Sequence, residues 1–183
     1  MTIEDLVRRV ERVLAALPVI VLLRSVGTDE SDYRHVARKL AAGVEPPRRL
    51  LVHGRPELAA ELGVGLHLPA REIQTRGSVG CLISRAVHDV DELRQAKLAG
   101  ATMVIAGTFY PTASKPGRQT LGRQGLATLC EQARMPIYAI GGINANNSVE
   151  ARSAGAYGVA VCRGIMLAED PIAAALELDL DER

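Results

Sequence analysis

Two short segments near the end of the chain carry the clearest chemical signal. Gly141-Gly142 follows the apolar run 137–140, and Arg163-Gly164 follows the apolar run 158–162, which ends in Cys162. Glycine lets a backbone come close to an anion with its N–H groups free, and the first N–H groups of a helix attract anions. Arginine adds a charge that pairs well with phosphate. These residues therefore predict a phosphate-binding site.

A long connection between residues 107 and 120 carries the next candidates. Thr112, Ser114 and Lys115 place two hydroxyls and an ammonium close together, between prolines and a glycine. Long loops on the catalytic face of a barrel are typical of lids that close over a ligand. Plainer interpretations remain open: Lys115 as a solvated surface lysine, and Gly141-Gly142 as a tight turn that needs positive φ.

Helix and strand patterns alternate along the chain and would position these residues. Amphipathic or capped segments predict helices at 2–17, 35–42, 56–61, 89–99, 121–133, 148–154 and 172–178. Short apolar, β-branched runs predict strands at 19–23, 49–52, 64–68, 80–84, 102–107, 137–140 and 158–162. Repeated βα units predict a parallel sheet, either open and doubly wound or closed into a barrel. Glycine-rich turns after the last two strands, rather than the first, favour an α/β fold of the TIM (β/α)8 type.

The strand count is one short of a complete barrel. The pattern begins with a helix, so we expect the first strand to be missing or altered, with an opening at that edge. An unpaired edge is an association site, which predicts a homodimer. Its interface is expected to include residues 1–24, with the apolar face of the first helix buried there.

Composition limits the class of protein. The 183 residues fit one domain, 1–183, with a formal charge of +1 and 3% aromatic residues. This balance argues against nucleic acid or a membrane surface as a partner. Three cysteines without paired spacing argue against a metal cluster or a disulfide framework and predict a cytoplasmic protein.

Five segments, in this order, resemble the thiamine phosphate synthase and TenI superfamily: 64–72, 84–88, 106–117, 139–143 and 158–166. The resemblance extends from Val19 to Met166. It implies a barrel that holds a phosphorylated thiazole or thiamine phosphate at Gly141-Gly142 and Arg163-Gly164, with the loop around Thr112 closing over it. Thr108 and Cys162 complete the candidate ligand-binding set.

Other positions depart from the synthases of this superfamily. Leu22 and Val26 stand where the synthases carry a glutamine and a lysine for the pyrimidine pyrophosphate, and only the arginine, Arg24, remains. His53-Gly54 replaces an Asn-Asp pair, and Glu72 replaces an aspartate, among the residues that hold magnesium. Mg²⁺ prefers hard oxygen ligands, so we expect no cofactor, with Mg²⁺ required only if the chain is a synthase.

The TenI branch of the superfamily includes thiazole tautomerases, which need a group that gives and takes a proton. The histidine of that branch falls on Thr108, and a hydroxyl cannot replace an imidazole as a base. His67, His88 and Glu72 remain as the catalytic candidates, although His67 could equally be a packed barrel histidine.

The expected function is a TenI-like protein of thiamine biosynthesis that binds a phosphorylated thiazole, as a tautomerase. The alternatives are thiamine phosphate synthase activity and a non-catalytic thiazole or thiamine phosphate-binding regulatory protein. A barrel acting on a sugar phosphate through the same phosphate site also stays open.

Overall fold

The strands form one parallel sheet whose spatial order follows the chain. The structure is a computed structural model that describes residues 2–24, 29–46, 49–72, 82–113 and 116–178. Within these residues the strands are β1 (Val21–Leu23), β2 (Leu50–His53), β3 (Gly65–Leu68), β4 (Ile83–Val87), β5 (Met103–Gly107), β6 (Ile137–Ile140) and β7 (Gly158–Ala160). Each pairs in parallel with the next, in the order β1 to β7. The curled sheet with its helices confirms the TIM-like α/β fold and the strand count expected from the sequence.

Helices connect most of the strands and cover the outside of the sheet. They are α1 (Ile3–Ala16), α2 (Glu30–Gly43), α3 (Pro56–Leu62), α4 (Val90–Leu98), α5 (Gly122–Gln132), α6 (Ser148–Ser153), α7 (Arg163–Met166) and α8 (Pro171–Leu176). Side-chain caps define several of their starts, as in the capping box of Thr2 and Asp5 before α1. None of the described helices is long and apolar enough to cross a membrane.

Alternate residues of each strand face opposite sides of the sheet. The outer positions of β2 and β3 pack against the helices in one core, together with residues of α1 and α2: Leu50, Val52, Leu66 and Leu68. Successive side chains of a strand point to opposite faces, so His53 and His67 face the interior of the barrel. Ser84 lies beside His67 in the register of β3 and β4 and faces the same way. The interior between β2 and β4 is therefore polar.

One strand differs from its expected position. A strand was expected at 80–84, whereas β4 runs from Ile83 to Val87. Residues 80 and 81 lie outside the described residues. The misplacement has a simple cause, because Arg85 interrupts the apolar run by which a buried strand is recognised. In the fold, Arg85 is 2% exposed and donates to the backbone carbonyls of Ala70 and Glu72, which makes a charged residue compatible with a buried strand.

The sheet is open between its two ends in the described chain, because β1 and β7 each pair on one side only. The helical layer nevertheless crosses the opening: Val13 and Leu17 of α1 share a core with Ala175 of α8. The rest of the apolar face of α1 packs against its own chain, in the same core as α2 and β2. The expectation that this face is buried in a dimer interface is wrong, since it already has an intramolecular partner. The homodimer itself stays a prediction, now resting on the free strand edges alone.

The packing of α1 predicts the effect of Leu14→Ala. Leu14 is 5% exposed, so its truncation is expected to lower the free energy of unfolding by about 2–4 kcal/mol. Leu98→Ala is the matched control, because Leu98 is 83% exposed, and it should change stability by less than about 0.5 kcal/mol. Urea unfolding at two protein concentrations, with light scattering on the native protein, measures both stability and mass.

An intramolecular role for α1 requires that Leu14→Ala leave the native oligomeric mass unchanged. Dissociation of a dimer by this variant would restore the interface that the sequence predicted. A native protein that scatters as a monomer at tens of micromolar would contradict the homodimer.

Candidate ligand-binding site

The turn after β6 has a shape that depends on glycine. Gly141 and Gly142 have φ values of 105° and 67°, in the left-handed region that other residues rarely adopt. A Cβ atom at Gly142 would lie 2.6 Å from Cβ of Tyr110 and 2.7 Å from the carbonyl oxygen of Pro111. Gly142 therefore lets the β5–α5 connection pack directly against the turn.

Several backbone N–H groups at this end of the sheet are unused. Asn147 fixes the turn through its side chain, which donates to the carbonyl of Gly142 at 2.9 Å and accepts from the amide of Asn144 at 2.8 Å. The amides of Gly142 and Ile143 donate to no other described residue. A group of free N–H donors at a strand end can bind an anion.

The loop after the neighbouring strand, β7, also has backbone N–H groups without an acceptor in the described chain. β7 pairs with β6 so that Ala160 lies opposite Ile140, which places the two following loops side by side. Cys162, Arg163 and Gly164 are exposed, and the amides of Arg163 and Gly164 also lack an acceptor in the described chain. The structure brings together the two glycine segments that the sequence singled out.

The β5–α5 connection is described in part. Thr108 is 4% exposed, and its side chain packs on Gly141, where an added Cβ would lie 2.5 Å from the threonine methyl. Thr112 is partly exposed. Ser114 and Lys115 lie outside the described residues, so their part in a lid stays a prediction. Tyr110 donates its hydroxyl proton to Glu150 of α6 at 2.5 Å, and this bond ties the connection to α6.

The second part of the site is the polar interior of β2, β3 and β4. His53 lies opposite His67 in the register, and their rings meet edge to face with centroids 5.4 Å apart. Nδ1 of His67 is 2.9 Å from Oγ of Ser84. Sequence reasoning did not select Ser84, and the signal that would have found it is the strand register, which sequence spacing does not reveal.

Burial determines the charge of these two rings. Burial, with the nearby charges of His53, Arg24 and Arg85, lowers the pKa of His67 to about 3. Burial, with the charges of Arg24 and Arg55, also lowers the pKa of His53. Both imidazoles are therefore neutral near pH 7, and the catalytic role of His67 stays a prediction.

The other catalytic candidates are engaged in local contacts. The ring of His88 and its backbone amide both bond to the carboxylate of Glu92 at 2.7 Å, so His88 helps to start α4. Glu72 is partly buried on the β3–β4 connection, where Arg85 holds its backbone carbonyl. The structure does not bring His67, His88 and Glu72 into one described hydrogen-bonded group.

A buried network also orders the ends of β1 and β2. The hydroxyl of Tyr33, on α2, donates to the carbonyl of Leu23 at 2.6 Å and accepts from the amide of His53 at 3.0 Å. Arg55 stacks on the Tyr33 ring at 3.6 Å and binds Glu30. No sequence signal pointed to this network, because its members are far apart along the chain.

Magnesium does not fit the donors present at this end of the barrel. His53 and Gly54 occupy the end of β2, and the charged groups that lower the pKa of the two imidazoles are Arg24, Arg55 and Arg85, with His53 also acting on His67. Mg²⁺ requires several hard oxygen ligands in octahedral geometry, and Glu72 offers one carboxylate. The described residues therefore give Mg²⁺ neither enough ligands nor a favourable charge.

Comparison with known proteins shows the family to which the chain belongs. The family described as thiamine monophosphate synthase matches residues 1–165. The chain belongs to this family. A thiamine-phosphate synthase of Synechococcus sp. (strain WH7803) is 34% identical over 182 residues, which cover 96% of this chain and 52% of that protein. Another, of Corynebacterium jeikeium (strain K411), is 30% identical over 172 residues, covering 85% of this chain and 79% of that protein.

A solved structure shares the fold. Thiamine phosphate pyrophosphorylase from Pyrococcus furiosus superposes with a TM-score of 0.81 at 24% identity, covering 94% of this chain and 86% of that one. The chain spans about half the length of several curated thiamine-phosphate synthases that it matches, with 51–53% of each covered. Family membership thus confirms the resemblance seen in the sequence, and the relatives carry the synthase name.

The environment of His67 predicts how stability depends on pH. Its pKa of about 3 in the folded protein lies below its ordinary value of 6.5, so between these values the unfolded chain binds more protons. Stability should therefore fall as the pH falls through this window, by roughly 1 kcal/mol per pH unit from this residue. His53, shifted in the same direction, adds to the effect.

His67→Gln should flatten this pH dependence, measured as urea midpoints between pH 4 and pH 7. His35→Gln is the control, because His35 is exposed on α2, and it should leave the slope unchanged. If the dependence of stability on pH were the same in His67→Gln as in the native protein, the predicted lowering of the His67 pKa would be wrong.

Proposed function

We propose that the chain binds a phosphorylated thiazole or thiamine phosphate, with the phosphate held by the loops after β6 and β7. The observation that carries this proposal is a set of N–H groups on neighbouring loops that have no acceptor in the described chain, at Gly142, Ile143, Arg163 and Gly164. Arg163 is exposed beside them and can add a charge-assisted hydrogen bond. Membership of the thiamine monophosphate synthase family supports the choice of ligand over a sugar phosphate.

Thiamine phosphate synthase activity is the second candidate. The names of the relatives favour it, and they favour it over a tautomerase. The residues at the carboxyl ends of β1 and β2 argue against it, since Leu22 and His53-Gly54 replace groups that a synthase uses, and the described donors suit Mg²⁺ poorly. Binding of the thiazole phosphate is compatible both with synthase activity and with a protein that only binds this ligand.

Two of the three tautomerase candidates are constrained. His67 is neutral at pH 7, and His88 is bound to Glu92, which leaves the carboxylate of Glu72. A non-catalytic protein that binds the thiazole phosphate or thiamine phosphate is the alternative to both enzymes. This form of the proposal requires ligand binding without turnover.

Calorimetry with thiamine phosphate, thiazole phosphate and inorganic phosphate tests the binding proposal. Arg163→Ala should weaken binding of the phosphorylated ligands by about ten- to a hundredfold, through loss of a charge-assisted contact. Arg38→Ala is a control on the surface of α2, where Arg38 pairs with Glu61, and it should leave affinity unchanged. Equal affinity of the native protein and Arg163→Ala would remove Arg163 from the site, and absence of binding to all three compounds would refute the proposal.

A synthase assay separates the two candidates. Thiazole phosphate, pyrimidine pyrophosphate and Mg²⁺ are expected to give no thiamine phosphate at a useful rate, because the pyrophosphate and metal ligands are largely replaced. The product is measured by chromatography, with an authentic synthase run in parallel. Robust turnover that depends on Mg²⁺ would establish the second candidate instead.

A further inference from the structure

The start of the β5–α5 connection is bound along its backbone to the turn after β6. The amide of Phe109 donates to the carbonyl of Ile140 at 2.8 Å. The amide of Tyr110 donates to the carbonyl of Gly141 at 2.9 Å. These bonds continue the pairing of β5 with β6 beyond Gly107, which is the last residue of β5. The connection and the turn therefore pack as one unit.

The side chain of Tyr110 extends this contact to α6. Its hydroxyl donates to Oε2 of Glu150 at 2.5 Å, and the two residues are 40 positions apart in the chain. The aromatic ring lies against Phe109, with centroids 4.4 Å apart, and Phe109 is fully buried. The core thus directs the ring, and the carboxylate fixes its hydroxyl end. A hydrogen bond to a carboxylate is about twice as strong as one between neutral groups.

Helix α6 returns to the same turn through its first residues. Glu150 lies in the first turn of α6, and Asn147 immediately precedes the helix. The side chain of Asn147 donates to the carbonyl of Gly142 at 2.9 Å. Ala151, the residue after Glu150, is fully buried, so this end of α6 is anchored in the core. The helix is therefore a firm support for both side chains.

These contacts close a circuit around the turn. Tyr110 binds α6, α6 binds Gly142 through Asn147, and Gly142 packs against Tyr110, where an added Cβ would lie 2.6 Å from Cβ of the tyrosine. The turn lies outside the helices and strands, and its amides at Gly142 and Ile143 have no acceptor in the described chain. Amides bind an anion best when their directions are fixed beforehand, because ordering a flexible turn costs free energy on binding.

We propose that Tyr110 and Glu150 are positioning residues for a phosphate group, because their hydrogen bond holds the amides of Gly142 and Ile143 in the direction in which they donate. Neither side chain has to touch the ligand. The identity of the ligand rests on the proposed function, whereas the positioning is a property of the turn itself. A bond that served only the stability of the fold would change the free energy of unfolding of its variants and leave ligand affinity unchanged.

Calorimetry with thiamine phosphate, thiazole phosphate and inorganic phosphate tests this role. Tyr110→Phe and Glu150→Ala each remove one partner of the bond and should weaken binding of the compound that the native protein takes by about five- to tenfold. Glu150→Gln keeps an oxygen that accepts from the tyrosine hydroxyl, so its affinity should stay within about twofold of the native value. Tyr157→Phe is the matched control, since Tyr157 is 56% exposed and precedes β7, at the end of the strand opposite the site.

Backbone amide relaxation, measured by NMR without ligand, gives a second readout. The order parameters of Gly142 and Ile143 should fall in Tyr110→Phe and in Glu150→Ala, because the turn loses one of its supports. They should keep the native value in Glu150→Gln and in Tyr157→Phe. Urea unfolding of all four variants checks that each is folded and measures any change in stability separately.

Two results would overturn the inference: native affinity in Tyr110→Phe, or native order parameters at Gly142 and Ile143 in both variants that break the bond. A loss of affinity in Glu150→Gln equal to that in Glu150→Ala would assign the effect to the charge of Glu150, and would also contradict positioning through Tyr110. If the native protein binds none of the three compounds, the proposed function fails, and the order parameters alone decide whether the bond positions the turn.

Discussion

The parallel register of the strands is the constraint on which the rest of the structure depends. His53, His67 and Ser84 lie opposite one another on β2, β3 and β4, and Ile140 lies opposite Ala160 on β6 and β7. A shift of one residue would turn the histidines toward the helices and the leucines into the barrel. The apolar core under α1 to α3 prevents this shift, because Leu50, Val52, Leu66 and Leu68 are buried there. The register that positions the histidines is therefore stabilised by hydrophobic burial on the opposite face of the sheet.

Glycines allow the strands to pack closely in this register. A Cβ at Gly65 would lie 2.2 Å from Cδ2 of Leu51, and one at Gly107 would lie 2.5 Å from Cγ2 of Ile140. Each glycine makes room for a large side chain of the neighbouring strand, and Gly142 does the same for the β5–α5 connection. Gly142 therefore has a packing role, and the proposed phosphate binding is compatible with it, so a tight turn at Gly141-Gly142 does not exclude a functional role.

Much of the fold follows from the sequence, because amphipathic helices such as α1 and apolar strands such as β5 differ clearly in periodicity. The loops after β6 and β7 could also be recognised, since glycine and arginine at strand ends have few other uses. The interior site could not, because it depends on residues from separate strands. Arg85 interrupted the apolar pattern of β4, so the strand was predicted in the wrong place. Thr108 aligns with the histidine of TenI tautomerases, but in the structure it packs on Gly141. Burial also could not be read from the sequence for His67: its ring lies inside the barrel, where burial lowers its pKa.

The two ends of the site diverge from the family to different degrees, and electrostatics explains why this is tolerable. In the proposed function, the loops after β6 and β7 hold the phosphate through backbone N–H groups, which any sequence with the right glycines can supply. The ends of β1 to β3 can bind a ligand only through side chains, so a substitution there changes which ligand is accepted. With His53-Gly54 in place of an Asn-Asp pair and Glu72 in place of an aspartate, this side of the barrel offers Mg²⁺ few of the hard oxygen ligands that it prefers, although the arginine, Arg24, remains. A protein that keeps the loops after β6 and β7 but has other residues at the ends of β1 and β2 would still recognise the thiazole phosphate. It would accept a different second ligand.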